Sequence, residues 1–134
     1  MKVSFLHDAH QKRFEELRFE VRDEKIRSDP KCLALLYLIA GDSHFFIKAS
    51  PYFNTTYGVF DSEAMFEIEE FGSSSLKTLE KTAVNLFSFN DYVTPAELVD
   101  NLENEHFQLV LNAILLQRDG LNRGYEAPEE KMYS

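Results

Sequence analysis

Four histidines, one cysteine, a serine run and a band of carboxylates are the side chains of this 134-residue chain whose types and spacing invite chemistry. His7 and His10 stand three apart, a spacing that lets two imidazoles on one helix face share a metal with a carboxylate as third ligand. His10 also falls on an apolar stripe, and no H-E-x-x-H or related spacing accompanies it, so a packed histidine is the expectation and no metal is expected. Cys32 sits in the first turn of a predicted helix, where the dipole lowers a thiol pKa. It also opens the most apolar run of the chain, and free cysteines are among the most buried residues, so an inert, packed thiol is expected. Gly72-Ser73-Ser74-Ser75 before a helix bearing Lys77 offers backbone N–H groups and hydroxyls to an anion. The run lacks the G-x-x-x-x-G-K-[ST] pattern, and a helix cap is the expected role. G-x-S-x-G is absent as well. No catalytic residue and no cofactor is predicted, and the chain is not expected to be an enzyme.

The carboxylates are the stronger signal. Lys and Arg number 14 against 23 Asp and Glu, a net charge of −9. The balance is uneven: residues 1–31 hold eight basic and seven acidic residues, and residues 32–134 hold six basic and 16 acidic, so the excess of −10 lies in the second part. Such a charge disfavours non-specific contact with nucleic-acid phosphates and with anionic membranes. Asp61, Glu63, Glu67, Glu69 and Glu70 concentrate five carboxylates in ten residues and are the candidate partner-binding residues, the expected partner being a protein with a basic surface. If 57–69 is a hairpin, Glu67 and Glu69 line its outer face about 6.5–7 Å apart, near the spacing of successive phosphates, with Phe66 and Ile68 inward. A charged, soluble edge gives the same pattern.

The elements that must position these groups are mostly helical. Leu6, His10, Phe14, Leu17 and Val21 make one stripe of a helix over 7–24, on which Glu16 and Glu20 form a repelling i,i+4 pair. Asp29-Pro30 starts a second helix; Cys32–Ala40, nine apolar residues, marks it as buried on all sides, and Gly41 stops it. Asp42 or Ser43 caps a helix over 43–49, and Ser50-Pro51 ends it. Residues 52–72 read as a hairpin or an irregular loop, with Phe66-Glu67-Ile68-Glu69 alternating as a strand would. Ser73 or Ser74 caps a helix over 75–88. Thr94-Pro95-Ala96-Glu97 is a capping box for a short helix ending near Asn101. The last helix, 103–118, is expected to turn Phe107, Val110, Leu111, Ile114 and Leu115 inward and to stop at Gly120.

These elements predict a mainly α fold, a single domain of about six helices around a central buried helix 30–40, with one small β-hairpin near 57–69 as an optional element. The domain is assigned to 1–120, and 121–134 reads as a flexible tail. An apolar share of 44% with 28% charged residues is an ordinary globular composition. The nine-residue apolar run is too short to span a bilayer, and the first eight residues lack a signal-peptide core. With one cysteine, a cytoplasmic setting is expected.

Five stretches carry a family resemblance. They are Phe5-Leu6-His7-Asp8-Ala9-His10-Gln11-Lys12-Arg13-Phe14-Glu15-Glu16-Leu17, Leu33 to Asp42, Ser73-Ser74-Ser75-Leu76 with Ala83 to Phe87, Pro95-Ala96-Glu97-Leu98, and Leu102 to Ile114. Together they resemble a family of small proteins of Firmicutes bacteria and their phages, catalogued as a domain of unknown function. The resemblance covers about 5–118 and departs at 52–71, which is longer here than the family's Tyr-Asp-Phe segment. It implies a bacterial or phage origin in the host cytoplasm and assigns no activity. The expected function is therefore a non-catalytic acidic interaction protein, phage- or prophage-encoded, in its sharpest form an inhibitor of a host defence protein acting through an acidic surface. The alternative is a nucleic-acid-associated protein using Arg13, Arg18, Arg22, Lys25 and Arg27; a small enzyme with an unrecognised site is the third.

Overall fold

The computed structural model describes residues 4–120, so the tail expected at 121–134 lies outside the described residues. In chain order the elements are α1 (Asp8–Glu20), α2 (Glu24–Ser28), α3 (Pro30–Ala40), α4 (Ser43–Ala49), a 3₁₀ turn (Ser50–Tyr52), β1 (Phe53–Asn54), β2 (Val59–Phe60), α5 (Ser62–Ile68), α6 (Ser74–Ser88), α7 (Pro95–Asn101) and α8 (Asn104–Asp119). The fold is mainly α with one small antiparallel hairpin, as expected, and it adds two short helices, α2 and α5, to the six read from the sequence.

Local chemistry explains most of the boundaries. Asp29 caps α3 by accepting from Cys32 N at 3.3 Å, and Pro30 fills the first turn. Thr94 and Glu97 close the expected capping box around Pro95, with Thr94 N donating to Glu97 Oε1 at 3.0 Å and Glu97 N donating to Thr94 Oγ1 at 3.1 Å. Asp42 caps α4 and Ser73 caps α6. The helix expected over 7–24 divides, because Val21 leaves the helical region and Asp23 caps a new helix by accepting from Lys25 N and Ile26 N.

All nine residues Cys32–Ala40 are buried, and α3 packs against α1, α6 and α8. Each leucine fully buried here contributes about 1.5–3 kcal/mol relative to exposure. Gly41 is required by close approach rather than by its backbone angle: a Cβ there would collide with the Leu109 side chain. α8 turns Leu109, Val110, Ala113 and Leu116 inward with His106. Leu111, Ile114 and Leu115, expected inside, are exposed, and only Val110 of the expected stripe is fully buried.

The hairpin lies earlier than the alternation suggested. Phe53 pairs with Phe60 and Asn54 with Val59. Asn54 Oδ1 accepts from Thr56 N and Tyr57 N, and Gly58 takes φ 69, where the nearest atom to an added Cβ would be Ile26 of α2 at 2.7 Å. Residues 62–68, read as strand and turn, form α5: Asp61 Oδ1 accepts from Ala64 N at 3.2 Å, and Ser62 and Met65 are its buried residues. Phe66 and Ile68 are 38% and 66% exposed rather than inward. No helix among the described residues is long and apolar enough to cross a membrane.

Candidate functional site

The histidine pair is already employed by the fold. His10 is fully buried; its Nδ1 accepts from Leu6 N at 3.1 Å and its Nε2 donates to Tyr37 O at 3.0 Å, so neither ring nitrogen is left for a metal. Burial holds its pKa down to about 4, so it stays neutral. His7 caps α1, its Nδ1 accepting from His10 N at 3.1 Å, and its Nε2 lies 3.2 Å from the Glu105 carboxylate. Cys32 is buried, and desolvation, with Asp29 adding to it, pushes its thiol up to about 12, which makes it a poor nucleophile.

One constellation is not readable as a motif. His106 of α8 sits with Nε2 2.8 Å from Asp42 Oδ2 and Nδ1 2.5 Å from Ser75 Oγ. Asp, His and Ser in line are the parts of a nucleophilic triad, but the environment is wrong for one. Ser75 is 2% exposed, and its Oγ already accepts from Glu103 N at 2.9 Å at the start of α8. The ring presents Nδ1 to serine and Nε2 to aspartate, the reverse of the triad arrangement. At 2% exposure, with Glu103 N–H and His106 on it, Oγ is closed to an acyl group. The group is better described as a knot: Asp42 caps α4 with Oδ1, which accepts from Phe45 N at 2.9 Å, and ties α8 with Oδ2, while Ser75 ties α6 to α8. The His106 hydrogen bond, together with Phe45 N–H, holds the Asp42 carboxyl at about 2, and Asp42 raises the His106 pKa against the opposing effect of burial. Ser73, of the serine run, accepts from Leu76 N as a cap, so the first turn of α6 serves the fold rather than an anion; Lys77 is exposed.

The five candidate carboxylates lie along one edge, but in a different geometry from the one expected. Asp61 caps α5, Glu63 and Glu67 stand one helical turn apart on its outer face, and Glu70 follows it, all four exposed. Glu69 is half-buried, with Tyr52 OH donating to its Oε2 at 2.6 Å. The rise between Glu63 and Glu67 is about 6 Å, and the strand-based spacing of Glu67 and Glu69 does not exist. No cation of the described residues lies in ion-pair range of Asp61, Glu63, Glu67 or Glu70; Lys48 Nζ donates to the Glu70 carbonyl, not to its carboxylate. Asp61 and Glu63 also bound an open cleft of about 720 Å³ between the hairpin and α5, whose other polar groups include Asn54, Ser62 and Asn90.

The basic residues of the first thirty-one are less available. Arg13 Nε donates to Ala40 O at 2.7 Å, Arg27 Nη1 to Val21 O at 3.1 Å, and Arg18 Nε points at Arg27 O at 3.5 Å. Three of the five cations proposed for phosphate contact therefore serve the chain's own carbonyls. Glu80 of α6 was missed by the sequence reading. It is buried, its Oε2 has no partner among the described residues, and burial with Asp91 nearby raises its pKa to about 7.

Compared with family models, with curated proteins and with solved structures, the chain finds no match.

Proposed function

We propose that this protein is a non-catalytic interaction protein that engages a partner with a basic surface through the edge formed by the hairpin and α5. The observation that carries the reading is the set of exposed carboxylates, Asp61, Glu63, Glu67 and Glu70, without cationic partners among the described residues, beside a polar cleft and the exposed Phe66 and Ile68. Charged groups flanking exposed apolar side chains supply orientation and encounter rate while the apolar groups supply buried area. A nucleic-acid-binding role for α1 has less support, because Arg13, Arg18 and Arg27 are directed to backbone carbonyls and the chain carries −9. The sharper reading places the protein in a bacterial host's cytoplasm, covering the nucleic-acid-binding surface of a host defence protein. That reading draws on the phage association of the resemblance and on the acidic charge.

The test uses a partner recovered with the tagged chain from host lysate and identified by mass spectrometry. Association is then measured for the wild type and for the triple variant E63Q/E67Q/E70Q. Slower association of the variant, by about tenfold at low salt and by less at high salt, is the expected result. Equal association rates for the two proteins would remove the α5 edge from the interface. Competition of the partner's own DNA or RNA with this protein is the further outcome the inhibitor reading requires.

A further inference from the structure

α6 ends on a residue that is costly where it stands. Phe89 is the first residue past the helix, and its N–H donates to Asn85 O at 3.0 Å to close the last turn. It does so at φ 62 and ψ 15, and among the described residues it is the one residue other than glycine at positive φ. Helices commonly end this way on glycine, because a Cβ is crowded in the left-handed region, and an aromatic residue there is strained. Burial does not offset the strain: the ring is 72% exposed, with the Lys31 ammonium 4.5 Å from its centroid. The turn does not need the ring either, since Asn85 Nδ2 donates to Asp91 O at 2.7 Å and pins the loop. Asn90, the next residue, borders the cleft that Asp61 and Glu63 bound, so the loop that carries the ring adjoins the acidic edge. Strain at an exposed side chain is the mark of a position kept for contact rather than for folding.

We propose that Phe89 is the apolar anchor of the interface: its ring receives an aliphatic side chain of the basic partner, while cations flanking that side chain reach Asp61 and Glu63 at the cleft. The inference rests on the reading that the hairpin and α5 engage a basic partner, and it names the group that holds the partner once charge has brought it in. Lys31 sets the order of the contacts. Its ammonium beside the ring disfavours a partner cation at that spot, so the apolar residue faces Phe89 and the cations lie toward α5. An aromatic ring that loses water on binding contributes more to holding a complex than charges at its rim do.

Thermal melts compare the wild type with F89G, which removes both ring and strain, and with F89A, which removes the ring alone. F89G should melt about 3 °C higher than the wild type, and F89A no higher. A lower melting temperature for F89G would make the ring a structural cover and overturn the proposal. Binding is read by titrating the ¹⁵N-labelled full chain with acetyl-Lys-Lys-Leu-Lys-Lys-amide and with the same peptide carrying serine in place of leucine. The leucine peptide should shift the amides of Phe89 and Asn90 together with those of α5, and its methyl protons should move upfield against the ring. It should bind about fivefold more tightly than the serine peptide, and F89G and F89A should each abolish that preference. Equal binding of the two peptides by the wild type, a preference that survives loss of the ring, or no shifts at millimolar peptide would each overturn the proposal. The α5 reading fails separately. E63Q/E67Q/E70Q should weaken both peptides alike and keep the leucine preference. Serine-peptide binding untouched by that variant, with a leucine preference that is lost with the ring, discards the edge and keeps the anchor.

Discussion

Where α4, α6 and α8 meet, both carboxylate oxygens of Asp42 and both ring nitrogens of His106 have partners inside the chain, whereas Glu63 and Glu67 on α5 have no ion-pair partner among the described residues. Both regions are built from groups that do chemistry elsewhere in proteins. The first uses them to join three helices that share few other polar links; the second leaves them facing water. Residue type therefore does not separate the two regions, and the state of each group's hydrogen bonds does. A catalytic constellation needs one member that substrate can reach, and the 2% exposure of Ser75 removes that member from the interior knot.

The largest expected effect comes from cutting the knot. His106→Ala leaves the buried Ser75 and the half-buried Asp42 without their shared partner and opens a cavity, and should cost about 2–4 kcal/mol of stability in denaturant unfolding. The pH dependence separates this from simple loss of packing. The His106 pKa is raised, so its contribution is full below 6.5 and fades as pH rises through the folded value. The Asp42 pKa falls from 3.8 to about 2, so its contribution is full above 3.8 and is lost as pH drops through about 2. The gap between wild type and variant should be widest between pH 3.8 and 6.5 and narrower at pH 9. A gap that does not change with pH would reduce the knot to packing alone.

Glu80 sharpens the comparison because it is interior yet unsatisfied. Its pKa is raised from 4.5 to about 7, so the folded protein is favoured below 4.5 and loses that advantage as pH rises through 7. Glu80→Gln should therefore raise stability at pH 8, by on the order of 3 kcal/mol, and change it little at pH 4. Thermal melts at the two pH values decide it, and a variant destabilised at pH 8 would mean that the carboxylate has a partner in solution. At the other extreme, E63Q/E67Q/E70Q should move stability by no more than about 0.5 kcal/mol, since exposed charges contribute little. A larger loss on that edge would blur the division between the two regions.

The sequence exposed the two regions unequally. Caps were legible because they are local: Thr94-Pro95-Ala96-Glu97 and Asp29-Pro30 each state a helix start within four residues, and both form as read. The face of α8 was not legible. Apolar residues occur almost all round it between Phe107 and Leu116, so periodicity left the choice open, and the close approach of Gly41 to Leu109 settles it. Residues 66–69 alternate like a strand, but Asp61 three residues before Ala64 is a helix cap, and the cap together with burial of Met65 prevails over the alternation. The knot had no sequence signal at all. Asp42, Ser75 and His106 lie more than thirty residues apart, and Asp42 and the serine run were readable only as the openings of α4 and α6. The acidic edge was visible as composition, while its helical spacing needed the fold.

Hydrogen exchange of the full chain, free and saturated with its partner, tests the division of labour most directly. The Glu103 amide, which donates to Ser75 Oγ, and the helical amides from Phe107 to Val110 should already exchange slowly in the free protein and change little on binding, because that region is committed to the scaffold. New protection should be confined to the hairpin and α5, residues 53–70, and to the adjoining loop at Phe89 and Asn90. Protection that instead concentrates at the start of α6 and α8, around Ser75 and His106, would contradict the account and return the knot to the list of working sites.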